Sequence, residues 1–315
     1  MCNKYTTIDY GKEGITDKEI LIRYLEGTPT RKIATQTEKD QSTVIRIIHK
    51  AMRRVPNTND VTMLYCNKFS RILIVDAKYV KIKGYPKKIA FIWAIDYGTH
   101  DIVYQRLTST ENSYAYYTMF EFLRKCNYQL KYLVCDELEC IRETVKLVFP
   151  KCHVQICIKH YKANIFKALN RFDESDMHFF KKTCELFKSH NMKEFGYIGR
   201  SLFNEFGLIK KYRTILLGIN FKASLLTTYL EYYDCPSTSN LIELYNSHLE
   251  ARLKSIKGFS SFEYAEIWLN AYVMNRRLRK FTDCSKKFKR LNGRYSLQET
   301  LKEDAPTFYF LRTVR

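Results

Sequence analysis

The most informative pattern along the chain is a pair of uninterrupted apolar runs, each of which leads directly into an aspartate. Residues 72–75 precede Asp76, and residues 132–135 precede Asp136. Continuous runs of this length, rich in β-branched and aliphatic side chains, are typical of strands that are covered on both faces. An ionised carboxylate at the end of a buried strand is costly to desolvate unless a cation faces it. We therefore expect two buried strands that bring their acids to a shared site.

The segments around these two runs predict the other elements of the same domain. Apolar runs at 89–95 and 101–107, bounded by turn residues, predict two strands that form a meander with the first. Helical spacing follows at 112–125 and 141–148, and residues 152–157 predict a short last strand. This order is that of a ribonuclease-H-like domain, so the predicted fold class is α/β, a mixed sheet with helices on both faces. In that fold the first and fourth strands lie parallel and about 4.8 Å apart, which brings Asp76 and Asp136 together.

Residues 1–56 show helical spacing in three short stretches. Gly27-Thr28-Pro29 separates the first from the second, and Thr30 is the expected cap of the second. The arrangement resembles a helix-turn-helix DNA-binding domain, with Glu38 at the turn position where Gly is frequent; an ordinary three-helix packing unit is the alternative. On the functional interpretation, outward polar side chains contact bases and phosphates. These side chains belong to Gln41, Ser42, Thr43, Arg46, His49, Lys50, Arg53 and Arg54.

Changes in pattern divide the rest of the chain into five segments. We expect a linker at 57–70, the first part of the core at 71–169, an all-helical segment at 170–232, the last part of the core at 233–281, and a basic C-terminal tail at 282–315. In and just before this tail, cationic side chains are expected to bind DNA phosphates. They are Arg276, Arg277, Arg279 and Lys280, together with the basic run 286–290.

Charge is the strongest signal in the composition. The 315 residues carry a formal net charge of +20, and their 45% hydrophobic content indicates a packed globule. An excess of this size favours a polyanionic partner, above all nucleic acid, although a solvated basic surface is the alternative. No secretory signal or membrane-spanning run is present in the sequence, so we expect a cytoplasmic, nucleoid-associated protein with no membrane partner.

Two further groups of residues are candidates for chemistry. If residues 240–257 form a helix, Glu243, Asn246 and Glu250 share one polar stripe, which is either part of a site or a solvated face. His153, Cys157 and His160 suggest zinc, but a closed structural zinc site requires four ligands. The alternative for Cys157 and His160 is packing at a strand-to-helix junction beside the site.

Three separated blocks resemble one family. They are Asp76-Ala77-Lys78-Tyr79-Val80-Lys81, the stretch FPKCHVQICIKHYKAN at 149–164, and Ser239-Asn240-Leu241-Ile242-Glu243 with Asn246, followed by Lys257-Gly258-Phe259. Together, across about residues 70–281, they resemble the Mutator-like DDE transposases and their prokaryotic insertion-sequence relatives. The chain departs from the family pattern at Glu137, where Gly is common, and in its short length.

The resemblance implies a specific activity. Asp76, Asp136 and Glu243 would be the catalytic acids and would hold two Mg²⁺ or Mn²⁺ ions per active site, with Glu250 as the alternative third acid. Cys157, His160 and Asn246 would lie beside the site, and residues 170–232 would be the family's all-helical insertion. The reaction would be DNA strand cleavage and transfer by two-metal phosphoryl transfer.

The resemblance also implies partners and rival functions. The expected partners are double-stranded DNA, both the terminal inverted repeats of the element and the target, and a second copy of the chain in a homodimer or higher oligomer of a synaptic complex. Two alternatives stay open. One is a catalytically inactive, transposase-derived DNA-binding regulator, and the other is a stand-alone ribonuclease-H-like nuclease.

Overall fold

A five-stranded mixed sheet organises the structure, a computed structural model that describes residues 15–305. The strands lie in the order β3-β2-β1-β4-β5; β2 is antiparallel to both β1 and β3, and β4 is parallel to both β1 and β5. Their bounds are β1 (Ile72–Val80), β2 (Ile89–Asp96), β3 (Ile102–Thr108), β4 (Tyr132–Cys135) and β5 (His153–Ile156). The expectation of an α/β chain whose first and fourth strands are adjacent and parallel is confirmed.

Helices precede, connect and follow the strands. Four lie before β1: α1 (Asp17–Leu25), α2 (Thr30–Thr37), α3 (Gln41–Arg53) and α4 (Thr58–Tyr65). Next come α5 (Ser113–Lys125), α6 (Glu139–Val148), α7 (Ile158–Lys167), α8 (Glu174–Leu186), α9 (Met192–Phe206), α10 (Lys210–Phe221), α11 (Ala223–Leu226) and α12 (Thr228–Glu231). The last are α13 (Asn240–Ile256), α14 (Phe262–Arg277) and α15 (Ser296–Thr300), with a 3₁₀ turn at Lys286–Leu291.

Both faces of the sheet are buried, which explains the continuous apolar runs. Leu73 and Val75 pack into one core with α5 and α6, whereas Ile72 and Ile74 face the opposite core with α13 and α14. This division follows from the alternation of side chains along a strand. A third apolar cluster lies within α7–α11. Within the described residues, no helix combines the length and the apolar character needed to cross a bilayer.

The first strand is longer than its apolar run predicts. Asp76 does not end β1, because antiparallel pairing with β2 continues from Asp76↔Trp93 to Val80↔Ile89. The parallel ladder with β4, in contrast, stops at Ile74↔Val134. Asp76 therefore lies at the point where β1 loses its parallel neighbour, and the space beyond β4 is available to other side chains.

The N-terminal helices begin and end as local chemistry requires, with one change from the prediction. Asp40 caps α3 by accepting a hydrogen bond from the Thr43 N–H at 2.8 Å. Thr30 does not cap α2; it is the first residue of that helix, and Pro29 holds the cap position. Glu38 has φ +52°, the left-handed conformation for which this turn usually uses glycine.

The two segments predicted to be a linker and a tail both contain helix. Residues 57–70 include α4, whose Thr58, Val61 and Thr62 are buried. In the tail, α15 buries Ser296 and Thr300, and both of their hydroxyls donate to Asp101. Residues 1–14 and 306–315, which the predicted N-terminal domain and basic tail include, lie outside the described residues.

Candidate active site

Asp76 and Asp136 meet where the parallel ladder between β1 and β4 ends. The register pairs Ile72 with Tyr132 and Ile74 with Val134. Continued by two residues, this register places Asp136 beside Asp76 on strands that are spaced by about 4.8 Å. Burial and the nearby Asp136 carboxylate raise the pKa of Asp76 to about 6. Burial disfavours the ionised form of Asp76, and the negative charge of Asp136 disfavours a second carboxylate charge beside it, so both raise the pKa.

His160, in the first turn of α7, lies between two of the acids. Its Nδ1 contacts Asp136 Oδ1, and its Nε2 lies 3.4 Å from Glu243 Oε1. The hydrogen bond to Asp136, and then the charges of Asp136, Glu243 and Asp76, raise the pKa of His160 against the opposing effect of burial. When it is protonated, the imidazole offsets negative charge at the site. His160 thus contacts two of the predicted catalytic acids, and the charge of the third, Asp76, also acts on it.

Glu243 reaches the site because Cys157 fixes the start of α13. The buried Cys157 Sγ accepts hydrogen bonds from the Ser239 N–H at 3.3 Å and from its hydroxyl at 3.1 Å. Ser239 Oγ also lies 3.3 Å from Glu243 Oε1, one helical turn further on. Lys159 forms an ion pair with the other oxygen of Glu243. This arrangement agrees with the predicted packing role of Cys157 at a strand-to-helix junction.

Glu250, the alternative third acid, makes different contacts. Its carboxylate binds Lys78 Nζ at 2.6 Å and lies 3.7 Å from Lys254 Nζ. These cations lower the pKa of Glu250. Two helical turns separate it from Glu243, so the ion pairs hold it away from the carboxylates around His160.

Glu137, the departure from the family pattern, does not join the acids. It pairs with Lys222 at the end of α10, and Asn164 Nδ2 donates to its other oxygen at 3.3 Å. The negative charge of Glu137 is therefore neutralised by Lys222 of the helical segment 170–232. No signal in the sequence identifies Lys222 or Lys159 as partners of these acids, since both are distant in sequence from the acids they bind and neither belongs to a periodic pattern.

Asn246 provides the test of whether a hard metal ion suits this site. Its Nδ2 donates to Asp76 Oδ2 at 2.5 Å, while its Oδ1 is buried and has no hydrogen-bond partner among residues 15–305. A buried oxygen without a partner calls for a donor or a cation. Carboxylate and amide oxygens are the ligands that Mg²⁺ and Mn²⁺ prefer. The residues therefore fit a divalent cation with oxygen ligands.

The three zinc candidates do not all converge. His153 packs against Tyr232, with ring centroids 4.4 Å apart, and does not join the others. Cys157, His160 and Glu243 instead offer ligand atoms within 4.8 Å of one another. Three donors do not make a closed structural zinc site. In addition, Cys157 already accepts hydrogen bonds from Ser239, and His160 already contacts Asp136.

The predicted DNA-contact residues fall into two groups. On α3 and its end, Gln41, Ser42, Arg46, His49, Lys50, Arg53 and Arg54 are exposed and Thr43 is partly buried. Arg279 and Lys280 are also exposed. Arg277 is a correction: it is completely buried, and its guanidinium binds Asp101 at 2.7 Å, so it is withdrawn from DNA contact. Arg276 is partly buried over the Tyr245 ring, 5.1 Å from its centroid.

Comparison with known proteins yields one family and several structures. The family model described as "Transposase, Mutator family" matches residues 12–278. Similar solved structures include a pre-cleavage Mos1 transpososome at 13% identity, and a Mos1 transposase paired-end complex with the left transposon end and a Mos1 strand transfer complex, both at 16%. Each similarity covers 47% of this chain and 60% of the other, with a TM-score of 0.19. No curated protein matches the sequence.

Proposed function

The chain belongs to the Mutator family of transposases, and we propose from this premise that it is a metal-dependent DDE transposase with a ribonuclease-H-like core. Asp76, Asp136 and Glu243 are its catalytic acids in this proposal. The observation that carries the assignment is the contact of His160 with Asp136 and Glu243, together with Asp76 beside Asp136 and the Asn246 oxygen that has no hydrogen-bond partner among residues 15–305. Glu243 is preferred to Glu250 because only Glu243 contacts His160.

Two divalent cations per site, Mg²⁺ or Mn²⁺, would be held by the three acids and would supply charge at the attacking and leaving oxygens of an in-line displacement. The chain's own residues prepare this arrangement. Asn246 orients Asp76 through its N–H, and Ser239 with Cys157 fixes the turn that presents Glu243. His160 positions Asp136 by a direct hydrogen bond. No covalent protein intermediate is needed.

A groove next to the acids supports DNA as the substrate. It has a volume of about 500 Å³, begins at Ala77 on β1 and extends along α13. Lys81, Lys88 and Lys257 line it and have no carboxylate within 4.0 Å in the described part of the chain. Cations along a groove bind backbone phosphates without reading sequence. We place the scissile strand there, with its phosphate at Asp76 and Asp136.

The remaining segments complete the proposal. Helices α1–α3 form a helix-turn-helix domain whose α3 reads the terminal inverted repeat, and residues 170–232 are an all-helical insertion. Water first attacks the strand at the element end, and the freed 3′-hydroxyl then attacks target DNA. Because two ends must be held together for this reaction, a homodimer or a higher oligomer is the working assembly.

The test is cleavage and joining of a labelled element-end duplex, taken from the DNA that flanks the gene, with Mg²⁺ or Mn²⁺. Unaltered protein is compared with Asp136→Asn and with the exposed control Asp283→Asn. The proposal requires a joined product that needs metal, persists in the control and disappears in Asp136→Asn. Cleavage without joining would indicate the stand-alone nuclease. Binding of DNA without strand chemistry would indicate the inactive regulator.

A further inference from the structure

A second basic cavity lies at the N-terminal ends of strands β1 and β4, opposite the end that carries the acids. It has a volume of about 420 Å³ and is bounded by the first residues of β1 and β4, the turn after β2, and the 3₁₀ turn of the C-terminal segment. Ile72, at its border, is four residues before Asp76 on the same strand. At about 3.3 Å per residue, the cavity begins about 13 Å from Asp76. It is therefore separate from the active-site groove.

Three cationic residues of this cavity form no ion pair with any carboxylate of the described residues. Arg71, Lys131 and Lys287 line it, and none has an acidic oxygen within 4.0 Å among residues 15–305. Asp234 also borders the cavity; it forms no ion pair within 4.0 Å with any residue that the structure describes, although its charge helps to raise the pKa of Lys131, after the larger effect of Tyr132. Arg290, in contrast, is occupied by Glu299 at 2.6 Å. The cavity consequently holds an excess of positive charge that a bound anion would neutralise.

Aromatic rings accompany these charges. Lys287 Nζ lies 4.9 Å from the ring centroid of Tyr97 and 5.4 Å from that of Phe288, and the two rings meet edge to face. Lys131 Nζ lies 4.9 Å from the centroid of Tyr132. Cations interleaved with aromatic rings suit a nucleotide, because the charge binds its phosphate while a ring stacks on its base. Inorganic phosphate would use only the charges.

The backbone holds two of the cations side by side. Arg71 has φ +69°, a left-handed conformation that is unfavourable for a non-glycine residue. Its carbonyl accepts hydrogen bonds from the N–H groups of Lys131 at 2.9 Å and Tyr132 at 3.1 Å. The strained conformation is thus fixed by the start of the ladder between β1 and β4, and Arg71 and Lys131 are kept at the same end of the sheet.

We propose that this cavity is a second DNA-contact site, which binds backbone phosphates of a strand segment away from the scissile phosphate and stacks a base on Tyr97 or Phe288. The inference rests on the proposed function in one respect, that DNA is the partner. It adds a place where a second stretch of DNA is held, at the end of strands β1 and β4 that lies opposite the catalytic acids.

The first test is DNA binding by the full chain in EDTA, where strand chemistry does not interfere. Lys131→Glu/Lys287→Glu is compared with Lys125→Glu/Lys193→Glu, which changes net charge equally at two exposed lysines elsewhere. Duplex affinity and its salt dependence are measured by fluorescence anisotropy. We expect the cavity pair to weaken binding about tenfold or more and to lower the salt slope by about 1–2, and the control pair to weaken it less than about threefold.

The second test uses unaltered protein and therefore does not depend on variants that fold. Lysines are acylated with and without DNA, and the modified sites are mapped by mass spectrometry with Lys125 and Lys193 as references. Protection of Lys131 and Lys287 by DNA but not by inorganic phosphate supports the proposal. Protection by inorganic phosphate alone, or equal losses of affinity in the two variant pairs, overturns it. Failure of unaltered protein to bind any DNA would overturn the proposed function as well.

Discussion

The substitution Asp76→Asn should stabilise the metal-free protein while it abolishes strand cleavage. Asp76 is partly buried beside Asp136, and its pKa of about 6 lies above its ordinary value of 3.8. A carboxyl group with a raised pKa holds its proton more tightly in the folded state. Its contribution to stability is therefore fully present below pH 3.8 and is lost as pH rises through 6. Asparagine removes this penalty and keeps an oxygen that accepts from Asn246.

The size of the effect follows from the difference between the two pKa values. Each pKa unit is worth about 1.4 kcal/mol, so ionisation of Asp76 costs the folded state up to about 3 kcal/mol at pH 7.5. At pH 4.5 the unfolded chain is already mostly ionised while the folded state is not, and the same calculation gives about 1 kcal/mol. The stabilisation by asparagine should therefore grow by about 2 kcal/mol between these two pH values.

Urea unfolding in EDTA at pH 4.5 and 7.5 measures this difference, with Asp283→Asn as the exposed control. Added Mg²⁺ should then stabilise the unaltered protein more than the Asp76→Asn variant, because a ligand that binds only the folded state raises its stability. A variant that is less stable than the unaltered protein at pH 7.5 in EDTA, with a control that is unchanged, would refute the view that Asp76 is held ionised at a cost.

Three further outcomes are expected. Glu243→Gln should reduce metal-dependent cleavage by more than about 100-fold and Glu250→Gln by less than about tenfold, and a reversed order in the cleavage assay would exchange their roles. Arg277→Met should cost about 3–5 kcal/mol in urea unfolding because it leaves Asp101 buried and unpaired, whereas adding Asp101→Leu should restore part of the loss; no restoration would contradict the ion-pair explanation. Cys157→Ala removes the acceptor at the start of α13, so kcat for cleavage should fall about tenfold with little change in the KM for DNA, and a change confined to KM would argue against a positioning role.

The three-helix start and the sheet were largely accessible from sequence because their signals are local. The apolar runs before Asp76 and Asp136 identified two strands, since a strand buried on both faces needs an uninterrupted run. Strand order then followed from the rule for the predicted fold, and the ladder between β1 and β4 confirms it. The end of β1 was wrong by four residues, because pairing with β2 rather than hydrophobicity decides where that strand stops.

The active-site candidates were only partly decided by sequence. Glu243 and Glu250 share one helix stripe, about 10 Å apart, and periodicity alone does not separate them. The distinction comes from contacts across the fold: Glu243 lies at His160, and Glu250 binds Lys78. A resemblance to a family selected Glu243, and the contacts explain why that position reaches the other acids.

The sequence by itself determined the number and order of the strands and the positions of Asp76 and Asp136 in or directly after two of them, because these features depend on near neighbours in the chain. It also determined the basic character of the chain, which depends on composition alone. Only the tertiary structure decided which charges are free. Arg277 looks like its basic neighbours in sequence, yet it is buried on Asp101, while Arg71, Lys131 and Lys287 line one cavity and, among residues 15–305, form no ion pair within 4.0 Å. The physical reason is that the free energy of a charge depends on its burial and on partners far away in the chain, neither of which local sequence records.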